Sequence, residues 1–74
     1  MTVNAITSKE LEYVIDCMSN EDLLMKQCTS IVNATTQQEL KSLCQQMVQT
    51  HQDHYSRLLQ CLEQHQQMAP AQPQ

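Results

Sequence analysis

The chain has 74 residues, a formal net charge of −4, no glycine, phenylalanine or tryptophan, and thirteen glutamines. That composition suits long helices and disfavours sheets and tight turns, and without glycine no phosphate-cradling loop can form. The four cations, Lys9, Lys26, Lys41 and Arg57, are too scattered for a nucleic-acid footprint, and no apolar run reaches the roughly 20 residues of a membrane span. The expected class is all-α, in one small domain whose core is marginal without metal, disulfides or a partner.

Residues 1–7 read as an N-terminal extension without the basic and apolar blocks of a signal peptide, so synthesis in the cytosol is expected. Thr7-Ser8-Lys9-Glu10 has the pattern of a capping box and opens a helix over about 8–33. Leu11, Val14, Met18, Glu21, Met25, Cys28 and Val32 recur at alternating steps of three and four, a packing seam broken only by Glu21. Ser19-Asn20-Glu21-Asp22 repeats a capping pattern, but the seam keeps its phase across it, which favours an unbroken helix. Asn33 is the expected terminator, since asparagine tolerates the left-handed conformation when glycine is absent.

Thr36-Gln37-Gln38-Glu39 suggests a second capping box after a link of only about three residues, which forces an antiparallel neighbour. The second helix is expected over about 37–67, with a seam of Leu40, Cys44, Met47, His51, His54, Leu58, Cys61 and His65. Residues 68–74 hold Pro70 and Pro73 among alanine and glutamine, and are expected to be a disordered tail.

The cysteines, Cys17, Cys28, Cys44 and Cys61, are separated by ten, fifteen and sixteen intervening residues. That spacing excludes a C-x-x-C zinc or redox motif and does not match a twin C-x9-C hairpin. On a helical seam they are expected to be reduced and to act as small hydrophobes. Cys61 and His65 are four apart, but a helix interior offers no free amides for an oxyanion site, so cysteine catalysis is not expected.

The polar interruptions are the candidate site. His51 and His54 share one helix face, about 5 to 6 Å apart at Cβ. In a hairpin turning near residue 35, Met18 would face His51 and Glu21 would face Val48, leaving Glu21 within about one turn of His51. Two imidazoles and a carboxylate suit a divalent transition metal with open positions. The same three residues can instead pair with one another and fix helix register without binding anything. Asp22 and Asp53 project off the seams, as solvated charges or outer acceptors.

Cys17, Leu24 and Ile31 flank the first seam, and Leu43, Val48, Tyr55 and Leu62 flank the second. Faces this wide fit a four-helix bundle, built most economically as a homodimer of hairpins.

Residues 10–64 resemble the spore coat protein F family of ferritin-like helical bundles. The resemblance rests on Ser19-Asn20-Glu21-Asp22-Leu23-Leu24, the connection with residues 36–43, and His51-Gln52-Asp53-His54 followed by Leu58. It implies a ferritin-like four-helix bundle, a non-enzymatic coat or assembly role in a spore-forming bacterium, and other coat proteins as partners. Against the ferritin-like pattern, Glu21 matches the helix-one glutamate and His54 the histidine of Glu-x-x-His. His51 stands where that motif has a bridging glutamate. The departure disfavours a di-iron ferroxidase and leaves, as the alternative to a purely structural role, a site at Glu21, His51 and His54 for iron or zinc.

Overall fold

The computed structural model describes residues 6–68, which form two helices, α1 (Ser8–Ala34) and α2 (Gln38–Met68), packed against each other as an antiparallel hairpin. No strand occurs among the described residues. Residues 1–5 of the extension and 69–74 of the expected tail lie outside them; Met68 closes α2.

Thr7 opens α1 with extended dihedrals, φ −77° and ψ 165°. Its hydroxyl accepts from the Glu10 amide at 3.0 Å, while the Glu10 carboxylate accepts from the Thr7 amide at 2.8 Å, so two otherwise orphaned donors are satisfied reciprocally. The capping pattern at 19–22 is not used, and α1 runs through it.

The inner ends differ from the sequence expectation by about a residue. Asn33 does not end α1 in a left-handed conformation; no described residue has positive φ. The helix continues to Ala34 and stops because Thr35 turns extended, φ −87° and ψ 146°, while its amide still donates to the Ile31 carbonyl. The hydroxyl serving the link is that of Thr35, which accepts from the Gln37 amide at 3.0 Å, rather than that of Thr36. The first main-chain bond into α2, Lys41 to the Gln37 carbonyl at 3.0 Å, makes Gln37 the cap residue and moves the helix start to Gln38.

These ends centre the turn on Thr36 and set the register. Residues equidistant from it lie at one level: Cys28 meets Cys44, eight residues to either side, and Glu21 meets His51, fifteen to either side. At the far end the Ile6 amide donates to the His65 ring, 3.1 Å from Nε2. Glu21 is thus opposite His51 itself, not Val48, because the turn centre lies one to two residues later than the spacing suggested.

On α1 the expected seam is the protected one from Val14 onward: Val14, Met18, Glu21, Met25 and Val32 are half-buried and Cys28 is buried, whereas Leu11 is exposed. On α2 the protected stripe is Cys44, Val48, His51, Tyr55, Leu58 and Leu62, whereas Met47, His54 and Cys61 are exposed. The helix is rolled by about 50°, half a residue step, from the expected orientation. The roll brings Val48, Tyr55 and Leu62 onto α1 and leaves Met47, His54 and Cys61 of the expected seam on one flank.

The resulting core is small. Among the described residues only Cys28 and Cys44 are buried, at 5% and 3% exposure. Leu24 and Ile31 of α1 remain 37% and 38% exposed, and Leu40, Leu43 and Met47 of α2 are 40%, 53% and 38% exposed. At 100° per residue these five project on the same flank of the hairpin, the one that also carries His54. No described helix is long and apolar enough to cross a membrane.

Candidate metal centre

Glu21 stands mid-length on α1 and reaches across to α2, where the three-residue spacing of His51 and His54 presents both rings. Oε2 of Glu21 lies 2.6 Å from Nδ1 of His51, and Oε1 lies 3.1 Å from Nδ1 of His54. One carboxylate therefore clasps two imidazoles, one with each oxygen. The rings meet edge to face, with centroids 5.9 Å apart and planes at 79°.

Burial is graded through the cluster. The side chains of Glu21 and His51 are 17% and 15% exposed, and that of His54 is 48% exposed, so the site opens toward solvent on the His54 side. The roll of α2 is the cause, since it carries residue 54 off the protected stripe. Desolvation alone pushes the Glu21 carboxyl up; the hydrogen bonds and charges of His51 and His54 together outweigh it and hold Glu21 below the ordinary carboxylate value. An ionised Glu21 is the form that accepts from both rings.

One donor atom from each residue lies within 4.8 Å of the other two. Ligands bound to a tetrahedral zinc at about 2.0 to 2.1 Å stand roughly 3.3 Å apart, so the His54 contact nearly has that separation and the His51 contact would open by less than 1 Å. The donors suit a borderline divalent ion: two imidazoles and one carboxylate leave coordination positions for water on the exposed side. With Nδ1 protonated, each ring instead donates to Glu21 and keeps Nε2 as an open lone pair, the arrangement in which a carboxylate orients metal-binding histidines from behind.

The neighbouring acids stay out of the cluster. Asp22 pairs with Lys26 at 2.8 Å and Asp53 with Arg57 at 3.0 Å, each along its own helix. Asp22 also borders an open groove on the flank away from His54, with Ile15, Met18, Tyr55 and Leu62. His65, in phase with the site in sequence, is three turns away and engaged with Ile6. The sequence spacing did not show that Cys28 and Cys44 meet; only the register about Thr36 makes that evident.

Compared with protein-family models, curated proteins and solved structures, the chain matches none. Its reading therefore rests on the geometry above.

Proposed function

We propose that the chain is a non-enzymatic assembly protein whose hairpins pair as homodimers into a four-helix bundle of ferritin-like type. The observation that carries the reading is the flank of Leu24, Ile31, Leu40, Leu43 and Met47, left open beside a core of two buried cysteines. A hairpin this thin cannot bury enough apolar surface to hold itself together, and a second copy of the same flank supplies what is missing. Two helices of similar length, 27 and 31 residues, joined by a short link are the half-bundle that such pairing needs. The resemblance of residues 10–64 to the spore coat protein F family supports this role, and by that analogy the proposal extends to a spore coat with other coat proteins as partners. Sedimentation velocity of a Leu43→Glu, Met47→Glu variant tests it: loss of dimer with loss of helicity supports the pairing, and an unchanged mass contradicts it.

A second reading is favoured by the clasp at Glu21. The cluster suits one divalent transition ion per chain, iron or zinc, held by Glu21, His51 and His54, with the exposed His54 on the rim of the pairing flank. The missing bridging carboxylate at position 51 favours a single ion over a di-iron pair. Elemental analysis of protein purified without affinity tag or chelator decides it. About one metal per chain, lost in a Glu21→Ala, His54→Ala variant, supports the site, and a metal-free wild type contradicts it.

A further inference from the structure

The two buried residues among those described are both cysteines, and they face each other. Cys28 and Cys44 lie eight residues to either side of Thr36, on opposite helices at one level, at 5% and 3% exposure. Burial first, and then the adjacent Cys28 thiol, raises Cys44 above the ordinary thiol range, so Cys44 rests as a neutral thiol beside Cys28. No disulfide joins them.

One turn from the pair toward the Glu21 cluster, the same register sets Met25 opposite Met47, each eleven residues from Thr36. The two helices thus carry mirror-related motifs, Met25-Lys26-Gln27-Cys28 and Cys44-Gln45-Gln46-Met47. In each, the sulfur residues are three apart and share a helix face. The two thiols meet inside the hairpin, and one turn on the two thioethers stand at a level of their own, Met25 half-buried and Met47 38% exposed on the open flank. Thiolate and thioether donors select soft cations, whereas the oxygen and imidazole donors one turn further on select borderline ones.

We propose that Cys28 and Cys44, supported by Met25 and Met47, form a binding site for one copper(I) ion per chain. Binding replaces two S–H bonds with two Cu–S bonds. The two thiols release two protons, no electron moves, and the dithiolate complex carries one negative charge. Lys41, one turn before Cys44 on the same half-buried stripe, brings a positive charge to that end of the site. Met25 and Met47 offer neutral donors that can complete the coordination and shield the ion from water on the flank side. The site is independent of the cluster at Glu21, which lies one turn beyond Met25 and contains no sulfur.

The test uses the reduced full chain with Cys17→Ser and Cys61→Ser, which removes only the two exposed thiols. Copper(I) is supplied as its acetonitrile complex, in competition with a chromophoric copper(I) chelator. The expected result is one ion retained per chain, with a sulfur-only first shell by X-ray absorption, weakened retention in Met25→Leu and Met47→Leu, and loss in Cys28→Ala. Failure to retain the ion, or a nitrogen and oxygen shell that puts it at the histidines, overturns the proposal. So does undiminished retention in a helical Cys28→Ala variant; where that variant does not fold, the shell measured in the parent decides.

Discussion

Glu21 and His51 stand directly opposite each other, fifteen residues to either side of Thr36, with Oε2 and Nδ1 2.6 Å apart. The contact lies at the centre of the hairpin and joins its two helices through polar groups between the apolar neighbours Met18, Met25, Val48 and Tyr55. Replacing one partner leaves the other half-buried with less to bond to, which is the costly way to break such a pair. His51→Leu is therefore expected to lower the melting temperature of the metal-free protein, and Glu21→Gln combined with His51→Leu to recover part of the loss. A double-mutant cycle by thermal denaturation checks it, and a zero coupling term would show the clasp to be passive.

The same pair sets a pH dependence. Glu21 titrates below its ordinary value of 4.5 in the folded chain because His51 and His54 outweigh its desolvation. A carboxylate depressed in this way contributes stability that is fully present above the unfolded value and is lost as pH falls through the folded one. Denaturation midpoints should therefore be insensitive to Glu21→Gln in acid, below the folded pKa, favour the wild type increasingly as pH rises from there toward 4.5, and hold a constant advantage above it. Parallel profiles for the two proteins across that window would remove Glu21 from the account.

The helix starts predict an asymmetry between two threonines. Thr7 carries a complete capping box, so Thr7→Ala should destabilise by about 1 kcal/mol. Thr36 has no such bond in the described structure, and Thr36→Ala should stay within about 0.5 kcal/mol of wild type. Urea melts of the two variants measure the difference directly.

The roll of α2 is testable by truncation. Leu62 lies on the protected stripe and Cys61 on the exposed flank. Leu62→Ala should cost about 1 to 3 kcal/mol, reduced from the full-burial range by its partial exposure. An equal or smaller loss for Leu62→Ala than for Cys61→Ala would place the seam where the heptad spacing alone puts it.

Much of this fold is legible in the sequence because its signals are local. Thr7 and Glu10 announce the start of α1, and the three-and-four spacing from Val14 to Val32 marks its protected face. The parts that were not legible depend on how two helices settle against each other. Whether Asn33 or Thr35 ends α1 turns on a single dihedral choice, yet it shifts the partner of Glu21 from Val48 to His51. The roll that sends His54 outward and Tyr55 inward follows from fitting large side chains between helices, a packing preference that spacing along one helix does not encode. The candidate site survived both displacements because His51 stands at the level of Glu21 and His54 about one turn beyond it, so both rings remain within reach of one carboxylate.

The central claim is that the open flank is the seam of a homodimer. Sedimentation equilibrium of the untagged, reduced wild-type chain at micromolar concentration, with helicity followed on the same samples, tests it most directly. The account predicts twice the 8.5 kDa chain mass and a loss of helix on dilution as the bundle separates. A fully helical species at the mass of one chain, with helicity independent of concentration, would contradict it.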